Sequence, residues 1–287
     1  MWTIVSIITP SFKQGESVIS QFGQFYLDYV IMDGGSTDAT VGIIKKYEKL
    51  FSENCVKVNL EGLDFYINKS GRKSMCNCFG ISYRWFSEKD NGQADALNKG
   101  FKIARGDVLG FLNSDDVYYQ SCLKQVIERI GKSDIVYGKA MWISKKGKDL
   151  LPYPTLKPTK YSFYYQCTLC QPAVFFRKSF YQNNGKFSTD YIVFDFEFWM
   201  RALFNNIKFK KINKFLSKSR MYNENKSLNF EQRVGNETKL LRDKFYKSLK
   251  LNKFILWLAK YYVDRYTHTK VRKLKKLITD DTSMDII

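Results

Sequence analysis

Val108 to Leu112 is an apolar run of strand length that stops abruptly at Asn113-Ser114-Asp115-Asp116. A run this short and this apolar fits a central parallel strand, buried on both faces, better than a helix. Its acids then stand at the strand's C-terminal end, where open α/β sheets place their ligand crevice. Two adjacent like charges repel unless a cation, a proton or a hydrogen-bond network compensates them. Oxygen donors suit a hard divalent ion such as Mg²⁺ or Mn²⁺. Asn-Ser-Asp-Asp is equally good turn chemistry, so the residues alone leave a metal site and a polar turn both open.

The same grammar repeats along the chain. Thr3 to Thr9 is β-branched and reads as a strand, closed by Pro10-Ser11-Phe12. Tyr29 to Met32 reads as a second buried strand, ending in Asp33-Gly34-Gly35-Ser36-Thr37-Asp38. Glycines there permit a tight turn close to a ligand, and Thr37 or Asp38 can cap the helix that follows. Val56 to Leu60 predicts a third strand. Residues 61–83 look like an insertion with room for a hairpin. Helical spacing recurs at Ala94, Leu97, Phe101 and Ala104, and again at Leu123, Val126, Ile127 and Ile130. Ile135 to Gly138 and Gln171 to Arg177 predict strands, the second at an edge or a loop entry because of Pro172. Asp195 to Arg201 starts a helix whose acids lie near its N-terminus. Alternating strands and helices imply an α/β chain with a mostly parallel central sheet and helices on both faces.

Charge divides the chain unevenly. The net charge is +19, and residues 207–278 hold 21 Lys and Arg against 5 Asp and Glu, a net +16. Residues 228–287 therefore read as a basic, mostly helical extension. Leu240 to Val263 mixes cations with Phe245, Phe254, Trp257 and Tyr262, a pattern that suits an anionic membrane surface or a solvated helix packed on the rest. No apolar stretch approaches the ~20 residues of a membrane span. Met1-Trp2-Thr3-Ile4 runs into the first strand without a signal-peptide pattern, so the expected place is the cytoplasm, peripheral on the inner face of the membrane. Free thiols are the expected state of the six cysteines. A pI near 9.5 alone would also admit nucleic acid as a partner, but no nucleic-acid motif accompanies it.

Taken in order, several stretches resemble the family 2 nucleotide-sugar glycosyltransferases, of GT-A fold and the bacterial surface-polysaccharide or O-antigen type. They are Ser6 to Phe12, Val30 to Thr40, Ser87 to Gly100, Gly106 to Asp116, Gln171 to Arg177 and Asp195 to Arg201. The resemblance implies a Rossmann-like GT-A domain over residues 1–227. It implies transfer of a sugar, with inversion, from a nucleoside-diphosphate donor, most simply a UDP-sugar. The implied acceptor is a saccharide, lipid-linked in a membrane-associated pathway.

Residue by residue, the resemblance places Thr9, Pro10 and Asp33 against the nucleotide, with Gly34 where many relatives carry a second acid. Asp90 and Asp95 fall beside the nucleoside, although Asp95 is also an ordinary partner for its own helix. Asn113, Ser114 and Asp115 occupy the Asp-any-Asp metal motif. Asn113 stands for its first acid, which leaves Asp115 or Asp116 to hold Mn²⁺ or Mg²⁺. Asp195 matches the catalytic base. Arg220 and Lys226 fall in a segment that closes over the diphosphate, and Trp199 offers an aromatic face to an acceptor or a core side chain. A degenerate, non-catalytic GT-A protein is the alternative that Asn113 keeps open.

Overall fold

The computed structural model describes residues 3–10, 21, 23–60, 62–69, 77–222, 230–247, 249, 252–274 and 277. Ser11, Phe12, Cys76 and Lys226 lie outside them.

Strand β1 (Ile4–Pro10) is the axis of the sheet, and Val5, Ile7 and Ile8 on it have no exposed surface. It pairs in parallel with β2 (Tyr26–Asp33) on one side and β6 (Val108–Phe111) on the other, while β2 pairs in parallel with β5 (Gly80–Ser87). Registers of Pro10 with Met32, Ile8 with Phe111 and Asp33 with Ser87 bring these strands' C-terminal ends to one edge. β1, β2 and β6 are thus where the apolar runs predict strands, whereas β5 is not, since its first half falls in residues 61–83, which read as an insertion.

Antiparallel strands flank this parallel centre on both sides. Between β2 and β5 run helix α1 (Thr40–Asn54) and a hairpin of β3 (Cys55–Leu60) and β4 (Leu63–Asn68), whose β4 pairs with β5. The hairpin turns at Gly62, whose φ of +79° favours glycine. Beyond β6 the order continues through β10 (Val174–Arg177), β8 (Ile135–Ile143), β11 (Phe209–Arg220) and β7 (Val117–Tyr118), with β9 (Asp149–Pro152) on β8. β10 is an interior strand, antiparallel to β6 and β8, and not an edge. Farther out, β8 and β11 pair in parallel. Pro172 sits just before it in a 3₁₀ turn at Gln171–Ala173, where its missing N–H breaks no ladder.

Successive side chains on a strand point to opposite faces, and the two cores divide accordingly. Val5, Ile7, Leu27, Tyr29 and Ile31 pack with Ile44 and Phe51 of α1 and with Leu123, Val126 and Ile130 of α3 (Cys122–Ile130). Ile8, Val30 and Met32 face the other way, onto Leu97 and Phe101 of α2 (Gln93–Ile103) and Phe198 and Trp199 of α6 (Phe194–Phe204). Between them in sequence lie α4 (Lys160–Tyr165) and α5 (Lys178–Asn184).

One polar knot inside this core ties the parallel strands together. Asp28, with no exposed surface, accepts from the Ser6 hydroxyl at 2.6 Å, from Arg84 Nη2 at 2.7 Å and from the Arg105 amide at 2.9 Å. The Gly106 amide in turn donates to Ser6 Oγ at 2.7 Å. The strand leading to Asn113 is thereby anchored at its start.

Past residue 229 come α7 (Glu231–Tyr246) and α8 (Lys253–Val263). α7 puts Leu241 and Tyr246 into the second apolar core, so this helix is part of the packed body. No helix among the described residues is long and apolar enough to cross a membrane.

Candidate active site

A cavity of about 1200 Å³ opens at the edge where the parallel strands end. Pro10, Asp90, Asn113, Ser114, Asp115, Asp116, Asp195 and Arg220 all reach it. Stretches far apart in sequence are therefore collected into one place, as their order predicts.

At the end of β2, Asp33 does not face the cavity. It is 2% exposed and both its oxygens are engaged. Oδ2 accepts from the amides of Gly35 and Ser36 and from Ser87 Oγ at 2.6 Å, while Oδ1 accepts from Ser36 Oγ. Burial works against its charge, but the Ser36 and Ser87 hydroxyls and the two amides outweigh that and hold the carboxyl below its usual range. Asp33 thus builds the turn that presents Gly34, Gly35 and Ser36 to the cavity. Thr9, 3% exposed, is likewise behind the surface. Burial thus leaves neither side chain a face on the cavity.

Gly34 explains its own residue type. A Cβ there would lie 2.7 Å from Asp90 Oδ2, so the missing side chain is the space the Asp90 carboxylate fills. The Gly92 amide donates to Asp90 Oδ1 at 2.8 Å and fixes it. Asp95 is turned to its own helix, accepting from the Asn91 amide at 3.0 Å and pairing with Lys99 at 3.4 Å.

The end of β6 is arranged around Asn113. Its Oδ1 accepts from Gln93 Nε2 at 2.6 Å, and its Nδ2 donates to Gln171 Oε1 at 3.2 Å and to Asp116 Oδ2 at 3.3 Å. Gln171 Nε2 donates to the Phe111 carbonyl at 2.7 Å. A carboxylate at 113 could not donate to either oxygen, so Asn meets a requirement that Asp would not.

The two neighbouring acids divide. Asp116 is 3% exposed and accepts from the Arg220 amide at 2.9 Å, from Asn113 and from the Ser219 hydroxyl. Burial, and after it the Asp115 charge, push its carboxyl up to about 7. Asp115 is half-buried, with Oδ2 accepting from the Tyr222 hydroxyl at 3.1 Å. Asp115 is thus the carboxylate with capacity toward the cavity, and Asp116 braces the loop from below. Among the described residues no group of three or more His, Cys, Asp or Glu side chains is placed to hold a metal ion on its own. An ion here would draw on Asp115 and on oxygens of a ligand and water, a donor set that suits Mg²⁺ or Mn²⁺ at a phosphate.

Arg220 is committed to carbonyl oxygens. Nε donates to the Asp115 carbonyl at 2.9 Å, and Nη1 donates to the carbonyls of Ser144 and Lys145. It clamps the Asp115 turn to the end of β8.

Asp195, which lines the same cavity, lies in the first turn of α6, where Val193 is the N-cap. Its Oδ1 accepts from the Phe196 amide at 2.9 Å. The approach to it is held by Glu237 of α7, which accepts from the amides of Ile192 and Val193. Glu197 points away, 4% exposed and paired with Arg201 at 2.8 Å. Trp199 has no exposed surface and packs on Phe176 and Phe198. It cannot offer a face to an acceptor, and the core role is the correct one. Burial, with Asp195 nearby, pushes the Cys167 thiol up, so it is a neutral part of the wall. Val234, Gly235, Thr238 and Arg242 of α7 line the same cavity. Sequence reasoning misses them, because no motif marks α7 within the basic extension.

With this geometry in place, comparison with known proteins is decisive for the domain. Residues 67–205 match the glycosyl transferase family 2 model. Over that stretch the chain is similar to the family 2 glycosyltransferases. It is 26% identical over 162 residues to an uncharacterized glycosyltransferase of Rickettsia conorii, covering 51% of this chain and 26% of that protein. It is also 26% identical over 188 residues to a PGL/p-HBAD biosynthesis glycosyltransferase of Mycobacterium tuberculosis, covering 64% and 60%. The chain thus spans less than two thirds of either relative's length. In fold it is similar to residues 1–349 of S. aureus TarS in complex with UDP, with a TM-score of 0.57 at 18% identity, covering 94% of this chain and 73% of that one. A mannosyltransferase from Pyrobaculum calidifontis, in complex with GDP-Man and Mn²⁺, gives a TM-score of 0.52 at 11% identity, covering 98% and 80%. The GT-A architecture, with helices on both faces of the sheet, is therefore the fold of this chain.

Proposed function

We propose that this protein is an inverting glycosyltransferase that moves a sugar from a nucleoside-diphosphate donor, most simply a UDP-sugar, to a saccharide acceptor. The observation that carries this reading is one cavity lined both by Asp115, just past the end of β6, and by Asp195, at the start of α6. UDP in the S. aureus relative and GDP-Man with Mn²⁺ in the mannosyltransferase support a nucleotide-sugar donor and a divalent ion. A bound Mn²⁺ or Mg²⁺ would stabilise the charge that grows on the departing diphosphate. Asp115 would hold it, with Asp116 and Arg220 keeping the Asp115 turn in place. Asp90 would face the nucleoside.

Asp195 takes the proton of the acceptor hydroxyl as that oxygen bonds to C1 of the sugar. The C1–O bond to the diphosphate breaks on the opposite face, its electron pair leaving with the diphosphate, so an α-linked donor gives a β-linked product. The acceptor we propose is lipid-linked, in bacterial surface-polysaccharide synthesis, with the basic helices holding the enzyme at the inner membrane face.

A thermal-shift screen of nucleotide sugars with Mn²⁺ tests the donor, since a ligand that binds only the folded state raises stability by mass action. In a transfer assay with the donor so found, Asp195→Asn should keep the shift and lower turnover by about 10²–10⁴-fold. Loss of the shift along with turnover would show that Asp195 supports binding and is not the base.

A further inference from the structure

α7 turns two stripes in different directions. Leu241 and Tyr246 enter the apolar core, and the Tyr246 hydroxyl donates to the Lys160 carbonyl at 2.5 Å. Val234, Thr238 and Arg242, four residues apart and so on one face of the helix, line the cavity that Asp195 also lines. Glu237 joins α7 to the segment just before Asp195. The position of Arg242 relative to Asp195 is therefore fixed at both ends of the helix.

Arg242 is unusual in what it lacks. Its Nε is shut off from solvent and donates to no acceptor among the described residues. Arg201 and Arg220, near the same cavity, are satisfied: Arg201 Nε donates to Glu197 at 2.8 Å and Arg220 to carbonyls. A shielded guanidinium N–H without an acceptor is costly, and the planar fork matches the paired oxygens of a phosphate or carboxylate. An anion entering the cavity that Arg242 lines would meet the rest of this guanidinium. In the proposed reading the donor diphosphate lies with Asp115, whereas the helix that carries Arg242 is joined through Glu237 to the segment just before Asp195.

We propose that Arg242 is an anion-binding residue of the acceptor side, taking a phosphate or carboxylate group carried by the saccharide whose hydroxyl faces Asp195. The proposal rests on the assignment of Asp195 as the base, and it narrows the acceptor to an anionic saccharide.

Calorimetric titration of the full chain, saturated with UDP and Mn²⁺, tests this with three probes: glucose 6-phosphate, glucuronate and methyl glucoside. At least one of the two anionic sugars should bind about tenfold or more tighter than the neutral one, in line with a charge-assisted bidentate contact. Arg242→Ala should abolish that preference and Arg242→Lys should restore part of it. Both variants should melt like the wild type, because no hydrogen bond is lost, and both should keep the UDP–Mn²⁺ shift. Equal binding of all three sugars by the wild type would overturn the proposal, as would an anion preference that survives Arg242→Ala. Failure of the donor reading is separate and visible, as a missing UDP–Mn²⁺ shift in the wild type. The titration is then run without nucleotide, and the Arg242→Ala comparison still decides.

Discussion

Asn113 shows how a single residue can look like a defect in sequence and be required in space. As the first position of a metal motif it lacks a carboxylate. As a member of the network it needs one acceptor for Gln93 and donors for Gln171 and Asp116. Asn113→Asp would set a third carboxylate against Asp116 and leave Gln171 Oε1 facing an acceptor. Without metal we expect a loss of ~1–3 kcal/mol in urea unfolding, with an unchanged midpoint counting against the network. Asp33 gives a second test, of pH. Its folded pKa is depressed, so its contribution is present above the unfolded value near 4 and is lost as pH falls through the lower folded value. Asp33→Asn should therefore be less stable at pH 7 and show a shallower loss of stability on acidification below about pH 4. Parallel slopes for the two proteins would contradict the assignment. At this scale the residue types were legible and their directions were not. Asp33, Asp95 and Asp115 all read as ligand carboxylates, yet only Asp115 keeps an outlook on the cavity, because local amides and hydroxyls claim the other two. No one-dimensional pattern records which lone pairs a turn consumes.

Elements were legible where burial is two-sided. β1, β2 and β6 are apolar runs because both faces of the sheet are covered, and their sequences say so. β11 was not legible. Lys210, Lys211, Lys214 and Lys218 interrupt it, and its register against β8 shifts twice, so the period of two is broken while the strand still pairs over its length. The knot at Asp28 was equally hidden, since one acid inside a strand pattern reads as an exception. Its partners come from β1, β5 and the turn before β6. Arg84→Met should leave that buried carboxylate uncompensated and cost about 3–5 kcal/mol in chemical denaturation. Asp28→Asn combined with Arg84→Met should cost distinctly less than Arg84→Met alone. A double variant as unstable as the single one would mean that packing of Arg84, and not its charge, carries the effect.

At the scale of the molecule, the charge that marks the chain beyond residue 206 turns out to serve two different places. α7 belongs to the body: it fills the second core and walls the cavity. α8 presents the other face of the problem. Phe254, Trp257 and Tyr261 are 65%, 60% and 49% exposed and stack in a ladder, with centroids 6.0 and 6.5 Å apart. Exposed Ile255 and Tyr262 lie beside them, and Lys253, Lys260, Arg265, Arg272 and Lys273 are exposed nearby. Aromatic rings beside cations match the headgroup region of an anionic bilayer, and each cation near such a surface contributes about 1 kcal/mol. Removing the chain from residue 230 onward would be a poor test, because it would also take Leu241, Tyr246 and the Glu237 brace. Replacing Phe254, Trp257 and Tyr261 together with Ser leaves these contacts intact. Sedimentation with vesicles containing phosphatidylserine should show binding of the wild type that falls at least about tenfold in the triple variant and weakens with salt. The same variant should keep its nucleotide-sugar thermal shift. Equal sedimentation of the two proteins would remove α8 from membrane docking, and loss of the shift would mean that the ladder supports the cavity instead.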